Sequence, residues 1–474
     1  MATLIQNGTL ITASETIQAD ILIEGETIRA VLAPGSDFSH TEHLDIVNAA
    51  GKFITPGGID PHCHFDLPMF GTVSSDDHYT GHKAAAFGGT TTVMDFVVHE
   101  PKGFRYSVER WLEKAEKAAI DYSFHMNLTR FDEQVAAEIP LLPEMGITTL
   151  KVFTAYNGRL RLDDGSIFQA LQIARENGML VMAHCENGDV IETLVAEAQN
   201  ARRTAPEWHA HTRPAWGAIE ATLRLAAMSK QADAPVYIVH MNAGGEADML
   251  TYARQHGAPV MGETCPQYLF FTLEHLQRPD GAKWICSPPM RSAEDNARLW
   301  QALKNDEIQT IGTDHCPFFF DGTKPIVYEG QEVAIPGKEL GKDDFTKIPN
   351  GLPGVQDRLP VLWTYGVRAG KITPNQFVAL TSTNPAKIFG LYPRKGALLP
   401  GSDADLVIWD PEKTVKYGVA WSHQRTDYNL YEGWELTGYP EKVFLRGKLI
   451  VDGEHWLGTR GGGQFLKRSQ GQVI

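Results

Sequence analysis

Eight apolar, β-rich runs alternate with helical segments through the middle of this 474-residue chain. The helical segments between them often end in glycine, which is typical of helix C-termini. Eight β-α repeats over about 270 residues match a (β/α)8 TIM barrel in number and span, so we predict an α/β fold of that class. An open doubly wound sheet is the competing fold, but no GxGxxG turn follows the first run. The runs are FITPGGID, TTTVMDFVV, YSFHMNLT, TTLKVFTA, LVMAHC, VYIVHM, PVMGETCP and QTIGTDH.

The two ends of the chain share a different pattern. TLIQNGTLIT, ADILIEG and TIRAVLA near the start are short, nearly alternating segments separated by Asn-Gly or Glu-Gly turns, as in hairpins. ADLVIWD and KVFLRGKLIVDG near the end have the same character. We therefore expect a small β-sandwich domain built from residues 1–51 and 396–474, the latter with a C-terminal tail, and a catalytic barrel over residues 52–395.

Composition excludes several classes of function. The chain has 43 basic and 58 acidic residues, and its net charge of -15 would repel nucleic acid and anionic lipid. We find no run of about 18 apolar residues and no signal peptide, so a cytoplasmic protein without membrane or nucleic-acid partners is expected. The five cysteines form no CxxC pair, which argues against disulfides and against a cysteine-built zinc site.

Histidines, a lysine and a carboxylate stand at the ends of the predicted barrel strands. The first strand leads into residues 60–64 (DPHCH), and the fourth carries Lys151. The fifth, sixth and eighth strands end at His184, His240 and Asp314. All strands of a barrel end at one opening, where active sites are built. Converging imidazoles with a carboxylate are typical metal ligands, so the pattern predicts a metal site at this opening.

Each of these residues also has an ordinary structural explanation. His62 and His64 share one side of an extended strand, since side chains alternate with period two, but they could be simply packed or exposed. His184 and His240 could be hydrogen-bonded core histidines, and Asp314 could cap a helix. Their joint occurrence at predicted strand ends, in the order of the barrel, favours metal binding.

Lys151 lies inside the apolar run TTLKVFTA. A buried ammonium group is costly unless it is paired or modified, although the side chain could also extend its head to the barrel mouth. As a carbamate formed with CO2, Lys151 would become an anionic bridge between two metal ions. Two Zn²⁺ ions with this carbamate, Asp314 and a hydroxide keep one positive charge, which suits an anionic tetrahedral intermediate.

Eight motifs together resemble the cyclic amidohydrolases, and most closely the hydantoinase/dihydropyrimidinase branch. The resemblance extends over nearly the whole chain, through GTRGGGQFLKR near the C-terminus. The motifs are GGIDPHCHFDLP, GTVSSDDHYTGHKAAAFGGTTTVMDF, LKVFTAY, AHCENGD, IVHMN, CSPPMR, GTDHCPF and IPNG.

The resemblance implies a homotetramer with two divalent metal ions per chain, usually zinc. It implies hydrolysis of the cyclic amide bond of hydantoins or dihydropyrimidines to N-carbamoyl amino acids by a hydroxide held between the metals. The ligands that it implies are His62, His64 and Asp314 for one metal, His184 and His240 for the other, and carbamylated Lys151 (N6-carboxylysine) as the bridge.

The resemblance also implies roles in substrate binding and catalysis. Tyr156 would donate to the developing oxyanion, backbone groups of Ser287 and Asn350 would bind the amide edge, and Asp314 would move the proton to the leaving nitrogen. Apolar Phe65 and Phe153, with nearby Leu67, suit a hydrocarbon or aromatic substituent, although ordinary packing at the barrel rim explains them equally well.

Three alternatives stay open at the level of sequence. Allantoinase shares the expected metal set. A non-catalytic scaffold would have lost ligands, and all six positions are filled here. A mononuclear deaminase would need no carbamate. Dihydroorotases instead resemble HxHxR, and the absence of that arginine after His64 argues against dihydroorotate as substrate.

Overall fold

The computed structural model describes residues 2–36, 44–69 and 71–474. Its strands are β1 (Ala2–Ile11), β2 (Thr16–Glu24), β3 (Thr27–Leu32), β4 (Leu44–Asn48), β5 (Phe53–Pro56), β6 (Gly58–Cys63), β7 (Pro68–Met69), β8 (Thr72–Val73), β9 (Thr90–Val97), β10 (Asp121–Asn127), β11 (Thr149–Phe153), β12 (Leu180–His184), β13 (Val236–Met241), β14 (Val260–Thr264), β15 (Thr310–Ile311), β16 (Ile326–Tyr328), β17 (Gln331–Val333), β18 (Leu406–Lys416), β19 (Glu435–Leu445), β20 (Lys448–Asp452) and β21 (His455–Trp456).

Helices follow most of the central strands. Short 3₁₀ and π turns complete the connections, including the 3₁₀ helix Lys338–Gly341. The α-helices are α1 (Thr80–Phe87), α2 (Phe104–Ala115), α3 (Glu133–Glu138), α4 (Asp164–Glu176), α5 (Gly188–Asn200), α6 (Trp208–His211), α7 (Ala215–Ala232), α8 (Gly244–Gln255), α9 (Gln267–Phe270), α10 (Ala293–Lys304), α11 (Arg358–Leu362), α12 (Pro374–Val378) and α13 (Asn384–Ile388).

A parallel barrel forms the centre of the molecule. In the described part of the chain, eight strands pair in the order β15-β14-β13-β12-β11-β10-β9-β6. The ring closes where Cys63 bridges to His315 and His64 N–H donates to His315 O at 2.7 Å. Each of the eight predicted runs supplies one strand of this barrel, so the prediction of a TIM barrel is confirmed.

The sequence of each repeat explains its local structure. Strand β9 is buried along its whole length, as expected for a strand covered by helices on one face and filling the barrel on the other. Helix α2 buries Phe104, Val108, Trp111 and Ala115, which recur every three or four residues and form one face. Its opposite face is polar, so α2 packs on the barrel with a single side.

Both chain ends build a second β unit, as predicted. Among the described residues this unit is a nine-stranded sheet of order β21-β20-β19-β18-β5-β1-β2-β3, with β4 beside β1. The antiparallel pair β5–β18 joins the N-terminal strands to the C-terminal ones. Its own apolar core includes Ile21, Ile54, Leu406 and Phe444.

The predicted domain boundaries need one correction. Strand β5 (Phe53–Pro56) pairs with β1 and β18 in the terminal sheet, whereas β6 starts the barrel at Gly58. The run FITPGGID is thus two strands in two sheets, because the chain passes from one to the other at Gly57. The first boundary moves from residue 51 to this junction, and the boundary at 395/396 stays a prediction. Residues 1, 37–43 and 70, which the predicted domains include, lie outside the described residues.

The C-terminal tail closes the barrel end opposite the strand carboxyl termini. Leu466 is fully buried among side chains inside this end, and Phe465 bridges to Tyr122. The guanidinium of Arg468 donates to Thr149 Oγ1 at 2.7 Å and to Phe124 O. The cavity described below therefore opens only toward the other end in the part of the chain that the structure describes.

A buried ion cluster joins the barrel to the terminal sheet. Lys395 Nζ lies 2.7 Å from Asp121 at the start of β10, 2.7 Å from Asp405 and 3.0 Å from Asp403. Arg446 also contacts Asp121 at 3.2 Å. The carboxylates come from both units, so the buried lysine links the two units.

Replacement of Lys395 by methionine is expected to destabilise the protein by about 3–5 kcal/mol, because three largely buried carboxylates would lose the cation that they share. Thermal and urea unfolding would measure the loss. Arg110→Gln, which removes an exposed ion pair with Glu113, is the matched control and should change stability by less than about 1 kcal/mol. Equal unfolding midpoints for the two variants would contradict the expectation.

No helix in the described part of the chain is both long and apolar enough to cross a lipid bilayer.

Candidate active site

The six predicted ligand positions converge at the carboxyl ends of the barrel strands. All of them line one cavity of about 440 Å³. The barrel explains this convergence, because neighbouring parallel strands end at the same level and direct successive side chains into one opening. They are His62 in β6, His64 directly after it, Lys151 in β11, His184 at the end of β12, His240 in β13 and Asp314 after β15.

One side of the cavity groups two histidines around a carboxylate. Asp314 Oδ1 lies 3.2 Å from His62 Nε2 and 3.0 Å from His64 Nε2. One ligand atom each from His62, His240 and Asp314 lies within 4.8 Å of the others. This spacing allows a single ion to contact all three side chains.

The other side pairs the two later histidines. His184 Nδ1 lies 3.1 Å from His240 Nε2, and the ring centroids are 4.8 Å apart. His240 also lies 5.3 Å from His62 between ring centroids, so it adjoins both groups. Two ring nitrogens facing each other at this distance form a second potential ligand pair.

Lys151 also lines this cavity. The residue is 2% exposed, and burial lowers the pKa of its amine to about 8. The amine lies 5.0 Å and 5.3 Å from the ring centroids of Phe96 and Phe153, and forms no ion pair with the carboxylates that the structure describes. An amine without a counterion, with part of its population neutral, is chemically able to react with CO2.

The donor set fits divalent metal ions. Burial lowers the pKa values of His64, His184 and His240, which favours the neutral imidazole that binds metals. Burial opposes ionisation of Asp314, but His62 and His64 hold its pKa well below the usual value, so its carboxylate is anionic, as a metal ligand requires. His64 Nδ1 and His240 Nδ1 are buried without a hydrogen-bond partner among the described residues.

Three residues that line this cavity have a strained backbone. Tyr156, His240 and Asp314 have φ values of +68°, +41° and +53°, in the left-handed region that residues with side chains seldom adopt. Such conformations persist where surrounding structure enforces them, and they are frequent at functional sites. Each strained residue directs its side chain into the cavity.

The predicted substrate-binding residues lie around the cavity, with one exception. Tyr156, Ser287, Asn350 and Phe153 line it. Asn350 Nδ2 donates to Ser287 Oγ at 3.1 Å, which joins the two loops expected to bind the amide. Burial raises the pKa of Tyr156 to about 12, so its hydroxyl stays a hydrogen-bond donor.

Phe65 is the exception, and its expected contact with substrate needs correction. Its side chain is fully buried and packs against the rings of His78, His82 and His315 at 5.4, 5.1 and 5.6 Å. Side chains alternate along a strand, so the residue after His64 faces the surrounding helices instead of the cavity. Phe65 therefore has the packing role at the barrel rim that the sequence left open as the alternative. Leu67, in contrast, lines the cavity.

Comparison with known proteins agrees with this geometry. The profile of the amidohydrolase family matches residues 53–450. The chain belongs to the amidohydrolase family.

Similarity to relatives extends over the full length of this amidohydrolase. A D-hydantoinase of Geobacillus stearothermophilus is 42% identical over 99% of this chain and 97% of its own. A D-hydantoinase of Streptomyces coelicolor is 40% identical over 100% of this chain and 99% of its own. The crystal structure of a dihydropyrimidinase from Brevibacillus agri superposes with a TM-score of 0.94, at 44% identity and 100% coverage of both chains. The predicted resemblance to this branch is confirmed, as is the prediction of an amide hydrolase.

Sequence reasoning missed Glu263 of the amidohydrolase. This fully buried carboxylate lies 2.7 Å from His62 Nδ1, accepts from Tyr237 OH at 2.8 Å and from His240 N–H at 3.1 Å. It therefore orients two of the predicted ligands at once. The available signal was a glutamate inside the apolar run PVMGETCP, because acidic residues are seldom buried unless they are paired.

A second missed group supports His184. Glu186 Oε2 lies 2.7 Å from His184 Nε2 and 2.7 Å from an Arg213 nitrogen. Burial disfavours its charge, but Arg213 and His184 together lower the pKa of Glu186 to about 2. An anionic partner on Nε2 leaves Nδ1 of His184 directed at His240. The signal was a glutamate two residues after the histidine in AHCENGD.

Replacement of Glu263 by glutamine is expected to weaken metal binding by about 10–100-fold, because His62 loses the carboxylate that fixes its ring and raises its basicity. Competition with a chelator, followed by metal analysis, would measure this affinity. Glu294→Gln, at an exposed position in the first turn of α10, is the control. Equal affinities in both variants would show that Glu263 does not support the ligand.

Proposed function

We propose that this amidohydrolase hydrolyses the ring amide of hydantoins and dihydropyrimidines and releases N-carbamoyl amino acids. The observation that carries the proposal is the grouping of His62, His240 and Asp314 within 4.8 Å inside the barrel cavity. Full-length similarity to proteins named D-hydantoinase and dihydropyrimidinase supports the same reaction.

We propose that this cavity binds two divalent metal ions, preferably zinc. When bound, they would supply Lewis acidity, which polarises a carbonyl and lowers the pKa of water from ~15.7 to about 7. Imidazole and carboxylate ligands suit zinc. The residues assigned to hold them are His62, His64 and Asp314 on one side, His184 and His240 on the other, and Lys151 as N6-carboxylysine between them.

Asp314 is assigned the proton transfers. Its carboxylate is ionised and faces the cavity, so it accepts a proton from the attacking water and passes it to the ring nitrogen as the amide bond breaks. Protonation of that nitrogen makes it a better leaving group. The strained backbone of Asp314 supports this role, because it fixes the carboxylate at the centre of the site.

Three further residues orient the ring. Backbone groups of Ser287 and Asn350 are assigned to the planar amide edge, which gives proximity without side-chain charge. The Tyr156 hydroxyl, protonated at neutral pH, donates to the carbonyl oxygen as it becomes negative. His184 lies 5.1 Å from the Tyr156 ring between centroids and restricts its position.

The outer cavity is assigned to the substituent on the ring. Leu67, Met69, Phe153 and Leu160 supply an apolar wall there, and such a wall suits a hydrocarbon or aromatic group. We propose preference for the D-enantiomer, on the basis of the D-hydantoinase relatives. We also propose a homotetramer, which sedimentation velocity would test.

A substrate panel with chiral product analysis tests the function. Metal-replete protein would be assayed on hydantoin, 5-phenylhydantoin, dihydrouracil, allantoin and dihydroorotate, with metal content measured in parallel. We expect ring opening of the first three, D-configured N-carbamoyl product from 5-phenylhydantoin, and about two ions per chain. Turnover of allantoin alone would assign the protein to a different amidohydrolase reaction. No turnover and no bound metal would favour a scaffold.

A further inference from the structure

Lys338 is a buried lysine outside the cavity walls that the structure describes. It begins the 3₁₀ helix Lys338–Gly341 and is 1% exposed. Its Nζ donates to Ile285 O at 2.9 Å and to Pro349 O at 3.1 Å. Within the described residues it forms no ion pair, so its hydrogen bonds to these two carbonyls are what hold the amine in place.

The two carbonyls belong to the loops assigned to the substrate amide. Ile285 stands two residues before Ser287, and Pro349 stands directly before Asn350. Ile285 O also accepts from the Gly351 N–H at 3.1 Å, and Asn350 Nδ2 reaches Ser287 Oγ at 3.1 Å. The amine therefore adds a third connection between the loops.

Burial of the Lys338 amine has an energetic cost. A buried cation without an acidic partner is costly, and an apolar side chain of equal length would avoid that cost. Burial lowers the pKa of Lys338 to about 7. Both forms of the amine keep at least two N–H donors for the two carbonyls, so the connection does not depend on protonation near neutral pH.

We propose that Lys338 is a positioning residue for ring opening: its amine fixes the spacing of the 285–288 and 349–351 loops, so that the backbone groups of Ser287 and Asn350 bind the amide together. The proposal rests on the proposed function for the identity of the substrate. Loss of the amine would leave Pro349 O buried without its donor and would release the loops from each other.

Kinetics of Lys338→Met on hydantoin test the proposal, with Lys342→Met as the matched control at an exposed lysine four residues later. Loss of positioning removes binding that the ground and transition states share, so KM should rise about 10–100-fold while kcat changes much less. Metal content should equal that of the control. Unchanged kinetics in Lys338→Met would overturn the proposal.

A second variant distinguishes loss of positioning from misfolding. Lys338→Ala leaves a cavity shaped for the missing three carbons and nitrogen, and propylammonium added to the assay should lower the raised KM toward that of the intact protein. Propane-1-sulfonate, which carries no donor, should not. Loss of metal and activity together, without any rescue by propylammonium, would show a purely structural role and overturn the proposal.

Failure of the proposed function would be recognised separately. In that case the metal-replete parent protein would open none of the cyclic amides. Hydrogen–deuterium exchange of the peptide that contains Gly351 would then still test the loop connection. We expect faster exchange in Lys338→Met than in Lys342→Met, and equal rates would overturn the inference.

Discussion

Replacement of Asp314 by alanine is expected to lower kcat for hydantoin opening by at least about 10³–10⁴-fold while leaving the fold intact. The residue is assigned both a metal-binding and a proton-transfer role, and no other carboxylate lines the cavity in the described part of the chain. Turnover of metal-replete protein, circular dichroism and metal content would be measured on the same sample. The barrel should persist, because Asp314 lies after β15 and outside its hydrogen-bonded strands.

Two further variants make this result specific. Asp314→Asn keeps a ligand oxygen but cannot accept the proton, so it should retain more metal than Asp314→Ala and be about equally inactive. Asp343→Ala removes an exposed carboxylate and should leave kcat unchanged. Turnover near that of the intact protein in Asp314→Asn would remove the proton-transfer assignment.

Replacement of Lys151 by methionine is expected to reduce bound metal from about two ions per chain to one or fewer, with turnover lowered at least about 10⁴-fold. Methionine fills the same buried space but cannot form the carbamate. Without the carbamate, two cations would be left in one small cavity without an anionic bridge between them. Metal analysis and kcat for hydantoin would both be measured.

The matched control is Lys304→Met, which makes the same change at an exposed lysine at the end of α10. Addition of a short carboxylate such as propionate to Lys151→Met should restore part of the metal binding, because it supplies the missing bridging oxygens. Two tightly bound metals and full turnover in the variant without added carboxylate would contradict the bridging role.

The barrel was predictable because its signals are local. Apolar runs such as VYIVHM and the helical segments between them carry their periodicity within about ten residues. The sequence did not show where the chain passes from one sheet to the other. FITPGGID has the pattern of a single strand, but Pro56 belongs to the terminal sheet and Gly58 to the barrel.

Side-chain direction and support were harder to predict. Phe65 follows a histidine that faces the cavity, yet it lies among His78, His82 and His315, because the strand and the helix α1 together decide its surroundings. Glu263 reaches His62 across 201 positions of sequence. No strand or helix periodicity and no short motif links residues that are so far apart in the sequence.

The sequence alone determined the eight strands, the β unit of both termini and the side chains that stand at the strand ends, since hydrophobic periodicity and residue chemistry act over short segments. Only the tertiary structure decided which of those side chains meet, which carboxylates hold them and which lysine joins the substrate loops. Such contacts depend on closure of the barrel, which brings residues hundreds of positions apart to within about 3 Å of each other.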